Sequence, residues 1–80
     1  MIEPSDLHQT LSEKMPGAEI TVQDLTGTQD HYQAIVVWSK FRGKSLVEQH
    51  QMVNRASETV MADGRLHALK IKTLTPIDNI

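Results

Sequence analysis

The apolar and polar positions of this chain change period repeatedly, and each change predicts a new element. Leu7, Leu11 and Met15 recur every four residues and form a narrow apolar stripe on a first helix. Pro4 fixes its start, and Ser5 or Asp6 is expected to cap it. Pro16-Gly17 ends it, because proline cannot continue a helix and glycine suits the turn that follows. Ala18, Ile20 and Val22 then alternate with Glu19, Thr21 and Gln23, the period of a half-buried strand. Thr26-Gly27-Thr28-Gln29-Asp30 is a polar turn, so the next strand should fold back as a hairpin. That strand covers residues 31–38. It is rich in β-branched and aromatic side chains and apolar on both faces in its second half, which places it centrally in a sheet.

Gly43 breaks the strand pattern, and Ser45 with Glu48 reads as an S-x-x-E capping box. Leu46, Val53, Ala56 and Val60 lie near one face of the helix that follows, with His50 and Ser57 beside it. Asp63-Gly64 closes it, with Gly64 as a left-handed residue after the last turn. The last strand spans about residues 66–74. It is expected to face the core with His67, Leu69, Ile71 and Thr73 and to turn Ala68, Lys70 and Lys72 outward. Thr75-Pro76 begins a short tail with room for one turn. The order α-β-β-α-β gives an α+β fold. It is a three-stranded mixed sheet with both helices on one face, in which a right-handed crossover makes the second and third strands parallel. His31 and His67 begin those two strands and therefore lie at the same end of the sheet. Neighbouring strands run ~4.8 Å apart, so the two imidazoles can share a ligand if the strands are neighbours.

The chain has 80 residues, which bounds it to one domain over 1–80, with 1–4 and 77–80 as flexible ends. A chain this short buries only ~60–65% of its unfolded surface, so its stability should be modest. A net charge of −2 gives no global signal for nucleic acid. Cysteine is absent, which removes disulfides and thiolate chemistry from this chain. No apolar run reaches the ~18–20 residues that span a membrane. Residues 1–6 show none of the basic and apolar regions of a signal peptide, and a cytoplasmic protein with no membrane contact is expected.

Several residues invite chemistry. Gly43-Lys44-Ser45 matches the end of a phosphate loop, but the position five residues before Gly43 is Trp38 rather than glycine, so a capped helix start explains it better. Lys40, Arg42 and Lys44 precede a helix N-terminus and could meet DNA or RNA phosphate, or simply line a solvated turn. Trp38, Tyr32 and Phe41 are the aromatic side chains that could stack bases. His50 reads as a packed helix residue and His8 as an exposed one. His67 and His31 sit at strand starts, where neutral imidazole can ligate zinc or iron or can simply be hydrogen-bonded. Two histidines do not complete a tetrahedral site, and Asp30 is the one further donor nearby. His67 could also act as a general base, yet no triad or carboxylate pair supports catalysis.

The pattern Phe41-x-Gly43-x-Ser45-x-x-x-x-His50-x-x-Val53, followed by His67-Ala68-x-x-Ile71-Lys72-Thr73-x-Thr75-Pro76, resembles the BolA family. The likeness extends upstream through Asp30-His31-Tyr32-Gln33-Ala34-Ile35-Val36-Val37 and covers about residues 5–76. It implies a fold similar to type II KH domains, without their G-x-x-G loop. It also implies a non-enzymatic adaptor that binds a monothiol glutaredoxin around a shared [2Fe–2S] cluster. In that likeness the histidine before the last strand, His67, is a cluster ligand, and His31 is the residue available as a second. Histidine can replace cysteine at such clusters, and a chain without cysteine needs its partner for the sulfur ligands. Alone, the chain is expected as a monomer or weak homodimer. The family is also linked to transcriptional regulation, which implies DNA contact through the Lys40–Lys44 turn and the helix behind it.

Overall fold

A computed structural model describes residues 1–77; the end expected to be loose at 77–80 therefore falls, apart from Ile77, outside the described residues. Helix α1 spans Pro4–Lys14, strand β1 Glu19–Asp24 and strand β2 His31–Val37. A single 3-10 turn follows at Ser39–Phe41, then helix α2 at Leu46–Ala56, helix α3 at Glu58–Ala62 and strand β3 at Ala68–Leu74. The sheet order is β1-β2-β3, with β1 antiparallel and β3 parallel to β2. The expected α-β-β-α-β topology and the central place of the second strand are both present.

The start of α1 differs from expectation. Glu3 is the N-cap and makes no side-chain cap bond, while Pro4 is the first helical residue. Proline suits that position because its missing N–H would have no helical partner there, so neither Ser5 nor Asp6 is needed as a cap. Residues 1–4 are not loose throughout either. Ile2 is buried, its N–H donates to the Gln29 carbonyl, and its carbonyl accepts from the Tyr32 hydroxyl. The chain start is thereby strapped over the β1–β2 turn, which is the turn that carries Asp30.

The capping box at α2 forms as expected: the Ser45 hydroxyl accepts from the Glu48 N–H, and the Glu48 carboxylate accepts from the Ser45 N–H. Ser45→Ala should therefore lower stability by about 0.5–2 kcal/mol, read as a reduced denaturation midpoint with an unchanged slope. The long second helix is interrupted, however. The Ser57 N–H is shared between the Val53 and Asn54 carbonyls, and its hydroxyl bonds the Asn54 carbonyl as well. A buried serine that engages the preceding turn ends α2, and a second short helix starts behind it. Gly64 closes that helix with φ of 83°, the left-handed geometry glycine tolerates best.

The core lies between the sheet and the helices. Leu7 and Leu11 from α1 and Met15 at its C-cap meet Ile20, Tyr32, Ala34 and Val36 from the sheet, with Val53 and Ala56 from α2 and Val60 from α3. Leu46, expected on that buried face, is 63% exposed. Periodicity gives the angular face of a residue, not whether anything lies beneath it. On β3 the alternation is as expected for Leu69, Ile71 and Thr73, which turn inward. His67 departs from it: the strand begins one residue later, at Ala68, and the His67 side chain is 59% exposed. Leaving the ladder frees that side chain from the strand's inward alternation.

Candidate metal centre at the end of the sheet

The parallel pairing of β2 with β3 sets His31 opposite Ala68. That register puts His67 next to His31 in space, across 36 residues of sequence. Their ring centroids are 6.1 Å apart and their planes nearly perpendicular, at 86°. Both side chains reach solvent, His31 at 44% and His67 at 59% exposure, so neither ring is locked into the core.

Asp30 stands between them. One carboxylate oxygen lies 2.8 Å from His31 Nδ1 and the other 3.2 Å from His67 Nδ1. Its backbone carbonyl also accepts the N–H groups of His67, at 2.8 Å, and Ala68, at 3.2 Å. The Thr28 hydroxyl donates to the first of those carboxylate oxygens. The Thr28 hydrogen bond and then the one from His31 lower the Asp30 carboxyl to a pKa of about 2, so it is ionised at neutral pH.

The turn that presents Asp30 is itself held by a second aspartate. The Asp24 carboxylate accepts the N–H groups of Thr26, Gly27 and Gln29. The Leu25 N–H reaches the His31 carbonyl at 2.8 Å and closes the hairpin. On the opposite side, the Leu66 N–H donates to the Val60 carbonyl while its side chain is buried, which anchors the residue before His67 in the core.

The basic trio is arranged differently. The Lys40 ammonium lies 5.5 Å from the Trp38 ring centre, a cation–π contact. An Arg42 guanidinium nitrogen donates to the Pro76 carbonyl at 2.8 Å. Lys44 is exposed at the rim of a cleft of about 220 Å³ with Glu48 and Arg55. Trp38, Tyr32 and Phe41 are all buried, so none of them offers a face to a base. His50 is half-buried on α2, and His8 is exposed on α1 with its Nδ1 3.4 Å from the Ser12 hydroxyl.

Clefts of about 340 and 540 Å³ lie elsewhere, the first beside Trp38, Met52 and Arg55, the second by Val37, Leu74 and Pro76. None of these three clefts is lined by His31 or His67. Among the described residues, no group of three His, Cys, Asp or Glu side chains converges as a metal cage. Among them, too, no helix is long and apolar enough to cross a membrane. The two imidazoles are therefore an open pair and do not by themselves form a closed metal site.

A family model described as BolA-like protein matches residues 3–78. The chain belongs to the BolA family. Among its relatives is the uncharacterized protein RP812 of Rickettsia prowazekii, 34% identical over 92% of this chain and 95% of that one. The acid stress protein IbaG of Escherichia coli is 31% identical over 96% of this chain and 88% of that one. The solved structure of BolA1 from Arabidopsis thaliana superposes with a TM-score of 0.80 at 26% identity, covering 99% of this chain and 100% of that one. The BolA fold thus covers the described sheet and helices together, and the histidine pair sits at one end of that fold.

What sequence reasoning missed is the placement of Asp30. It was legible only as a nearby donor. The bridging geometry depends on the β2–β3 register and on the Asp24-held turn, neither of which a linear pattern shows.

Proposed function

We propose that this BolA-like chain is a non-enzymatic adaptor that docks on a monothiol glutaredoxin and lends imidazole ligands to a [2Fe–2S] cluster shared between the two proteins, in cluster trafficking or iron and redox regulation. One observation carries this reading. Two exposed imidazoles stand side by side at the end of the sheet, in a chain with no cysteine.

The donor set fits the group. Iron–sulfur clusters are held by thiolates, and two histidines can take the place of two cysteines on one iron. His31 and His67 offer that pair, and the remaining sulfur ligands must come from outside this chain. When bound, such a cluster supplies iron for transfer and a one-electron couple. The chain's own part is to bind and orient. The Asp24-held turn carries Asp30 and leads into His31, and both rings are open to solvent, where a partner protein can reach them.

Visible circular dichroism of a cluster-loaded glutaredoxin, recorded with and without this chain, tests the reading. Wild type should change the spectrum, because cluster ligation becomes asymmetric in a new way. His67→Ala should abolish or shift that change. An unchanged spectrum, in a complex that still forms by size-exclusion chromatography, would remove His67 from the site.

A further inference from the structure

We propose that Asp30 is the positioning residue of this histidine pair: its carboxylate holds Nδ1–H on both imidazoles and so presents both Nε2 lone pairs outward as the metal donors. This rests on the ligand reading above and names what makes the pair competent.

The argument begins with hydrogen-bond roles. An ionised carboxylate only accepts, so a ring nitrogen that faces it at bonding distance must carry the hydrogen. His31 Nδ1 is hydrogen-bonded to one carboxylate oxygen at 2.8 Å, and His67 Nδ1 lies 3.2 Å from the other in an ion-pair contact, close enough that a hydrogen rather than a lone pair faces the oxygen. In neutral imidazole the other nitrogen, Nε2, then holds the lone pair, which is the form that binds a metal. Ligating histidines commonly use a carboxylate on their second nitrogen to fix tautomer and ring orientation. Here a single carboxylate meets two rings, one at the start of β2 and one just before β3.

Three further contacts hold Asp30, one on its carboxylate and two on its backbone carbonyl. Thr28 donates to the oxygen that meets His31. The Asp30 carbonyl accepts from the His67 and Ala68 N–H groups, so the same residue also locks the end of β3 against β2. Its side chain is only 20% exposed between two rings that are far more open. With one oxygen bonded to His31 Nδ1 and the other within 3.2 Å of His67 Nδ1, Asp30 supports the rings instead of competing as a third ligand.

The test starts with the isolated chain and needs no cluster. Uniformly 15N-labelled protein at about pH 8, above the ordinary histidine range near ~6.5, is examined by long-range 1H–15N correlation of the imidazole rings. Wild type should show His31 and His67 both protonated at Nδ1 and bare at Nε2. Asp30→Asn keeps the shape and the backbone contacts but leaves one acceptor oxygen, so at least one ring should move to the Nε2–H form. Wild-type rings protonated at Nε2, or tautomers unchanged in Asp30→Asn, would overturn the proposal. The wild-type spectrum decides it even if the variant folds poorly.

A second arm uses the complex with cluster-loaded glutaredoxin. Asp30→Asn should hold the shared cluster about 10–100-fold less tightly, with altered visible circular dichroism. If retention and spectrum match wild type, the positioning role falls while the ligand reading stands. If His67→Ala is also indistinguishable from wild type, the ligand reading falls and the proposal with it.

Discussion

Phe41→Ala is expected to cost about 3–5 kcal/mol, as large aromatic truncations in a packed core do. For 80 residues the whole stability should be about 4–12 kcal/mol, so this one change should leave a substantial fraction unfolded. The reason lies in how much converges on the residue. Phe41 is fully buried and stacks edge-on against Trp38, with ring centres 5.5 Å apart. Its carbonyl accepts from the Lys44 N–H and from the Gln49 side chain. Gln49 also bonds the Lys44 carbonyl and accepts the Thr73 hydroxyl, which ties the turn before α2 to the last strand. Losing the ring would open a cavity beneath this knot. Urea denaturation followed by Trp38 fluorescence would read the effect; a midpoint within error of wild type would show that the turn is not a core element.

Leu66→Ala should cost about 2–5 kcal/mol and should also weaken the histidine site. Leu66 is buried at 1% exposure directly before His67, which is open to solvent. Its N–H is bonded to the Val60 carbonyl, so side chain and backbone together fix the point from which His67 departs. Removing the side chain leaves the His67 N–H its bond to the Asp30 carbonyl but loosens the base of that bond. The expected result is a destabilised chain whose His67 backbone amide exchanges hydrogen faster than that of Ile35 in the middle of β2. If global stability falls but His67 exchange keeps its wild-type rank among the amides, the core does not hold the site in this way.

Much of this was legible in the chain, for local reasons. The Ser45–Glu48 box depends on residues three apart, and it formed with both bonds. The two-faced apolar pattern in the second half of the 31–38 stretch called for a central strand, and β2 is central. The crossover between that strand and the last required parallel pairing, which brought His31 and His67 to one end. Other features escaped because they depend on what lies across the fold. Leu46 has the right angular position to be buried and no partner surface over it, so it is exposed. Ser57 interrupts a periodic helix because its buried hydroxyl turns back on the Asn54 carbonyl. The cations Lys40 and Arg42 looked alike in sequence, yet one lies over Trp38 and the other meets the Pro76 carbonyl from 34 residues away.

Element order, strand directions and the shared end for the two histidines follow from periodicity and chain connectivity, which fix them without knowledge of contacts. The surroundings of the two rings come from contacts across the fold. The turn held by Asp24 and the exact β2–β3 register place one carboxylate between two rings. Hydrogen bonds of this kind depend on distances set by several segments at once, and no single stretch of the chain encodes them.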